Sequence, residues 1–187
     1  MRVIAGSLKG RRLATPRGAR VRPTSDKLRE RLFAILGERV TDANVLDGFA
    51  GTGAIGIEAL SRGAARVTFV ERDARTVALI GENLRRCGLT GGYAIIRAEV
   101  GRCLPGGPFD IIVLDPPYDL PDLEGALAAV SALLAAGGVV VLEHARRRPV
   151  PGGVGGLTRR RTVPSGDSQL SFYGVAAPGG CSADGYE

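Results

Sequence analysis

Residues 44–56 read NVLDGFAGTGAIG, and the last six, GTGAIG at 51–56, spell G-x-G-x-x-G. An apolar run, NVLDGF, leads straight into those glycines, and helix-forming residues follow them. That order is the strand, glycine loop and helix that open an α/β nucleotide-binding unit. Glu71 stands twenty positions after Gly51, at the end of a second apolar run, RVTFVE. Its spacing fits a carboxylate that accepts ribose hydroxyls, a role shared by several adenosine ligands. The stretch therefore points to the fold class and leaves the ligand open.

Outward from it the chain alternates. NVLDGF, RVTFVE, YAIIRAE, FDIIVLD and GVVVLEH read as strands. Helices are expected over 54–62, 74–87 and 121–136, closed by Gly63, Gly88 and Gly137. Near-continuous apolar strands alternating with helices imply a parallel sheet covered on both faces. The last pair differs, because LTRRRTV and QLSFYGV are separated only by PSGDS. That gap is too short for a crossover helix, so the two are expected as an antiparallel hairpin.

Upstream, RVIAGSLKGRRLA at 2–14 reads as a basic β-hairpin around a Gly/Ser turn. RPTSDKLRERLFAIL then reads as a helix capped by Thr24 or Ser25, with Asp26 in its first turn. Leu28, Leu32, Ile35 and Leu36 fall on one face, and Lys27, Arg29 and Arg31 on the other. Residues 1–22 are thus expected as a basic arm, 23–176 as the main domain, and 177–187, small and polar, as a disordered tail.

Composition narrows the function classes. The 187 residues carry 44% hydrophobic and 24% charged side chains, ordinary for a globular protein. No apolar run approaches the ~18 residues of a membrane span, and the N-terminus lacks a secretory h-region, so a cytoplasmic protein is expected. Cys87, Cys103 and Cys181 are widely spaced with one histidine, His144, to help them, so no metal site is expected. Residues 1–40 hold 11 Lys+Arg against 3 Asp+Glu, a net of +8. The remainder holds 14 against 16, a net of −2, and the two sum to the overall +6. A surplus confined to one end suits a polyphosphate backbone. Lys9, Arg11, Arg12, Arg20, Arg22 and Lys27 are the candidate RNA contacts. The triplets Arg146–Arg148 and Arg159–Arg161 are either solvated faces or a second such contact.

Asp47 discriminates between ligands. It precedes the glycines, where a dinucleotide's pyrophosphate would pass, and a carboxylate there repels two negative charges in a poorly screened cleft. S-adenosylmethionine (SAM) carries an ammonium and a sulfonium, which Asp47 attracts directly or through water. SAM is favoured over NAD. Gly51 and Gly53 allow close backbone approach, and Gly56 allows close helix packing. Glu71 is expected on the ribose, Glu99 on the adenine amino group and the Val100 N–H on a ring nitrogen, with Phe49 and Arg72 flanking them.

FDIIVLDPPYDL places Asp115-Pro116-Pro117-Tyr118 where the fourth strand leaves the sheet. An exocyclic amine on a nucleobase is a poor nucleophile, because its lone pair is delocalised into the ring. Asp115 and the Pro116 carbonyl can accept its two hydrogens and turn the lone pair outward. Consecutive prolines fix that carbonyl, and Tyr118 offers a ring to stack on an extruded base. Direct methyl transfer by proximity and orientation needs no covalent enzyme intermediate and no metal.

Together, RPTSDKLRERLFAIL, VLDGFAGTGAIGIEALSRGA, FDIIVLDPPY and GDSQLSFYG resemble the RsmD family, bacterial methyltransferases acting on a guanine N2 of 16S ribosomal RNA. The resemblance runs from RVIAGSLKGRRL to about Val175. It implies a Rossmann-like class I SAM-dependent methyltransferase, a seven-stranded mostly parallel sheet with an antiparallel last strand. It implies the small ribosomal subunit or a late precursor as substrate, and a monomer is expected. By position, Asp47, Gly51 and Gly53 match the family's methionine-side loop, Glu71 its ribose ligand and Asp115 to Tyr118 its catalytic motif. Many relatives have aspartate where Glu99 stands, and the glycine-rich PGGVGG before the last hairpin has no evident geometry. The competing readings are a DNA adenine-N6 methyltransferase with the same D-P-P-Y chemistry, a nicotinamide oxidoreductase, and a non-catalytic RNA-binding protein.

Overall fold

A computed structural model describes residues 1–15, 26–102 and 106–175. Five parallel strands form one half of the sheet: β1 (Asn44–Gly48), β2 (Arg66–Glu71), β3 (Tyr93–Arg97), β4 (Phe109–Leu114) and β5 (Leu134–Ala145). Three more, β6 (Gly153–Val154), β7 (Leu157–Ser165) and β8 (Ser168–Val175), complete the order β3-β2-β1-β4-β5-β8-β7-β6. β8 runs antiparallel to both β5 and β7, so the last strand is inserted inside the sheet rather than added at its edge. The expected seven strands become eight, because PGGVGG supplies a two-residue edge strand, β6, paired with Thr158 and Leu157. The predicted hairpin of the last two strands forms, with a turn at Gly166 and Asp167 between the paired Ser165 and Ser168.

Both faces of the sheet are covered, as the apolar strands require. Val45, Val67, Phe69, Ile111, Val113 and Val141 point to one side, where α1 (Asp26–Leu36), α2 (Ala54–Ser61) and α3 (Ala74–Arg86) pack. Their neighbours along the strands, Leu46, Val70, Ile112, Leu114, Val140 and Leu142, point to the other, against α4 (Leu123–Ser131). α4 is shorter than the expected 121–136. Asp122 caps it by accepting from the Gly125 N–H at 2.7 Å, and Leu134 already pairs with Phe109 in β5. The run LLAAGG carries no polar stop before the sheet recruits it.

The N-terminal segment forms a single antiparallel bridge, Arg2 to Arg12, in place of two regular strands. Val3 and Leu13 are buried, and the buried Glu58 carboxylate of α2 accepts the N–H groups of Ile4 at 2.7 Å and Ala5 at 3.0 Å. Arg29 is wholly buried and does not belong to the exposed basic face of α1. Its guanidinium donates to the Arg2 carbonyl at 2.8 Å and to Asp26 at 2.7 Å, tying α1 to the N-terminal segment that covers it. Thr24, Ser25, Arg20, Arg22, Cys103, Cys181 and the tail lie outside the described residues. Among the described residues no helix is long and apolar enough to cross a membrane.

Candidate active site

In an open parallel sheet, ligands bind beyond the carboxyl ends of the strands, where the strand order reverses. Here the reversal falls between β1 and β4, and a cleft of about 750 Å³ opens there. That volume lies within the range of small-molecule sites. Its floor is the loop after β1, its sides the ends of β2, β3 and β4, and its far wall Glu143 of β5 with the β7–β8 turn.

The glycine loop is bent as its residues permit. Gly51 and Gly53 have φ of 54° and 75°, and Phe49, unusually for a bulky residue, has φ of 60°. Gly51 and Phe49 line the cleft. Gly53 lies beneath it, where an added Cβ would stand 3.2 Å from Ile80. A Cβ on Gly56 would fall 2.2 Å from Phe69 Cε1, so the close helix packing expected at this glycine is present.

Asp47 also lies beneath the loop. It is 1% exposed, does not line the cleft, and accepts the Gly56 N–H at 2.9 Å. Gly56 is the third residue of α2, so the carboxyl occupies one of the free N–H groups at the helix N-terminus. That is where a dinucleotide's pyrophosphate would otherwise dock. Of the two contacts with a cation expected of Asp47, direct or through water, its burial leaves no surface for the direct one. Burial pushes its carboxyl well above the usual carboxylate range, the Gly56 N–H opposes that rise, and the charges of Asp115 and Glu71 add to it. Two carboxyl groups that line the cleft, Glu71 and Asp115, thus bear on a third beneath it.

Glu71 is held rigidly, accepting the Gly51 N–H at 3.0 Å on one oxygen and the Asp73 N–H at 2.9 Å on the other. Arg72, Glu99 and Val100 line the same side. Val100 is buried, while the half-exposed Glu99 carboxylate faces Arg102 at 3.5 Å.

At the opposite side stands the D-P-P-Y segment. The Asp115 N–H donates to the Gly48 carbonyl at 3.4 Å, and the Leu120 N–H to the Pro117 carbonyl at 3.0 Å. The Tyr118 hydroxyl lies 2.6 Å from Ser168 Oγ and donates to Glu143 Oε1 at 3.5 Å. Glu143 is pushed up to about 8 by burial first and by the adjacent Asp115 carboxylate second, with hydrogen bonds from Ser168 and Tyr118 opposing. Arg148 grips the segment from outside, donating to the Tyr118 and Leu120 carbonyls, each at 2.5 Å.

The structure thus brings Phe49, Gly51, Glu71, Arg72, Glu99, Val100, Asp115, Pro116, Pro117 and Tyr118 around one cleft, and Lys27 joins them. Lys9, Arg11 and Arg12 are exposed on the N-terminal turn. The arginine triplets divide: Arg148 serves the site, Arg159 and Arg160 donate to the Val150 and Val175 carbonyls, and Arg146, Arg147 and Arg161 are exposed. His144 is a buried strand residue whose Nε2 meets Ser171 Oγ at 2.9 Å, with burial lowering its pKa. Sequence reasoning missed Glu143, Ser168 and Met1, all of which line the cleft. The only signal was the GDS of the last hairpin, which identifies a turn but not what it faces.

A doubly wound sheet with an inserted antiparallel strand, a glycine loop braced by a buried carboxyl, and D-P-P-Y at the end of β4 define a Rossmann-like methyltransferase. Known proteins agree. The family model described as Conserved hypothetical protein 95 matches residues 1–174. Ribosomal RNA small subunit methyltransferase D of Escherichia coli K12 is 31% identical over 188 residues, covering 98% of this chain and 94% of that protein. YlbH of Bacillus subtilis 168, named as an rRNA methyltransferase, is 37% identical over 92% of this chain and 98% of its own length. The solved structure of yhhF from Escherichia coli superimposes with a TM-score of 0.81 at 31% identity, covering 92% of this chain and 96% of that one. The chain belongs to the RsmD family of ribosomal RNA methyltransferases.

Proposed function

We propose that this family member transfers a methyl group from SAM to the exocyclic N2 amine of a guanine in 16S ribosomal RNA, within the small subunit or a late precursor. The observation that carries the reading is the pairing, across one cleft, of a carboxyl-rich cofactor side with the D-P-P-Y segment.

The residues present fit SAM. The charges of Asp115 and Glu71 raise the cost of ionising Asp47, which a bound cation relieves. Asp47 already caps α2, which disfavours a pyrophosphate and with it the nicotinamide reading. Glu71 would take the ribose hydroxyls, each of its oxygens keeping a lone pair beyond its backbone bond, and Val100 and Glu99 would face the adenine. SAM, when bound, supplies an electrophilic methyl group on its sulfonium.

The protein's own groups act on the amine. Asp115 and the Pro116 carbonyl accept its two hydrogens and direct its lone pair toward the cofactor side, and Asp115 is placed to take the proton the amine sheds. Tyr118, 36% exposed, offers its ring to the base while Ser168 and Glu143 hold its hydroxyl. Lys9, Arg11 and Arg12, with Arg20, Arg22 and Lys27, supply cations for phosphates, which fix position without selecting the base. A family relative acting on small-subunit RNA favours that polymer over DNA.

The test is incubation with labelled SAM and small subunits lacking the modification, followed by mapping of the modified base by mass spectrometry. Asp115→Ala should lower turnover by about 10²–10³ with SAM affinity largely intact, since a lost hydrogen bond in a preorganised site costs that much. Label at another base, or near-normal turnover in Asp115→Ala, would overturn the assignment.

A further inference from the structure

Glu143 lies in the middle of the sheet, 6% exposed, with its carboxyl at the cleft wall. Its Oε1 receives the Tyr118 hydroxyl. Its Oε2 is buried and meets no donor among the described residues, an arrangement costly for an anion and unusual for any buried acceptor. The group next to it is Asp115, the residue placed on the substrate amine. Two carboxyl groups side by side accept from each other only when one carries a proton.

We propose that Glu143 is a positioning residue for methyl transfer, fixing Tyr118 through one carboxyl oxygen and Asp115 through the other. The inference rests on the functional reading above. A neutral Glu143 donates to Asp115, which leaves the remaining Asp115 lone pairs aimed at the incoming amine. The same side chain and Ser168 keep the Tyr118 ring from swinging into the cleft. The titratable and charged groups that line the cleft with it are Asp115, Tyr118, Asp167, Lys27, Glu71, Arg72 and Glu99, beside the Ser168 hydroxyl. Of these, burial and Asp115 favour the protonated form, while Ser168 and Tyr118 oppose it. Glu143 thus acts through its two neighbours.

The experiment compares wild type with Glu143→Ala, Glu143→Gln and Ser168→Ala in small-subunit methylation across pH, alongside infrared spectra of the free proteins. Glutamine reproduces a protonated carboxyl: its amide N–H can donate to Asp115 and its carbonyl can accept from Tyr118. Glu143→Ala should lower kcat by about 10²-fold with KM for SAM unchanged, the scale of a small misplacement of reacting groups. Glu143→Gln should restore most of the loss and remove the fall in kcat expected of wild type as pH rises through about 8. The neutral-carboxyl band of the wild type that disappears as pH rises through that value should be missing in Glu143→Gln. Ser168→Ala, which keeps the sheet intact, should lower kcat severalfold. Wild-type kcat in Glu143→Ala, an unchanged alkaline limb or unchanged infrared band in Glu143→Gln, or unaltered kcat in Ser168→Ala would refute the role. A wild type that methylates no small-subunit RNA defeats the functional reading instead, whatever the infrared band shows.

Discussion

The same substitution, glycine to alanine, should have opposite signs in two neighbouring helices. Gly81 lies inside α3, and a Cβ there would meet only Ile95 Cδ1 at 3.9 Å, an ordinary contact. Alanine should therefore stabilise by about 0.5–1 kcal/mol, the usual gain over glycine in a helix interior. Gly56 lies inside α2, where the same Cβ would stand 2.2 Å from Phe69 Cε1 and 2.7 Å from Val67 Cγ1. Carbon atoms settle at about 3.5–4.0 Å, so helix and strand would have to separate by more than about 1 Å. Overpacking of this kind costs about 1–3 kcal/mol, which exceeds the helical gain. The separation would also stretch the 2.9 Å bond from Gly56 to Asp47 and lift the glycine loop. Urea unfolding at pH 7 should place the Gly81→Ala midpoint above wild type and the Gly56→Ala midpoint below it, with SAM binding weakened only in the latter. Phe69→Leu removes the nearest ring atoms, so Gly56→Ala should cost less in that background. Equal midpoints for the two alanine variants, or no coupling with Phe69, would refute the steric reasoning.

Other expectations follow from the buried carboxyl and the clamp. The folded-state pKa of Asp47 is raised above its unfolded value, so its contribution to the free protein's stability is full below about pH 4 and is lost as pH rises through the raised value. A bound cation lowers that value again, so SAM affinity should increase with pH over the same window. Calorimetry in buffers of different ionisation heat should detect proton release on binding, absent in Asp47→Asn. Arg148→Ala frees the Tyr118 and Leu120 carbonyls and should lower kcat roughly tenfold or more with SAM affinity unchanged, whereas Arg146→Ala, on the exposed face, should not. Equal effects of the two arginines on subunit binding would instead mark a shared RNA contact.

The glycine-loop half of the cleft was legible because its residues are local. A strand end, a glycine turn and a carboxylate at fixed spacing announce themselves within thirty positions, and Asp115 to Tyr118 announce a rigid strand exit. Asp47 was expected to meet a cation directly or through water, and its burial was not legible, since sequence does not tell a residue under a loop from one on it. Glu143 and Ser168 were hidden for a different reason. They reach the site from β5 and the β7–β8 turn: the pairing of β4 with β5 sets Glu143 beside Asp115, and the insertion of β8 beside β5 brings Ser168 to Tyr118. Arg29 looked like one more cation on a helix face, because nothing in α1 reveals that the N-terminal segment lies over it. The end of α4 was missed because an Ala/Leu run suits either element until a partner strand claims it.

The position of β8 has a consequence for synthesis. It is the last described strand to leave the ribosome, yet it lies between two earlier ones, and its first residue, Ser168, sits beside the Tyr118 hydroxyl. Until it is inserted, β5 keeps an open edge on the side that carries Glu143, and the wall behind Tyr118 is missing. Strands β1 to β5 and the glycine loop can therefore pair before β8 has been made, but the wall behind Tyr118 is completed only when β8 inserts between β5 and β7.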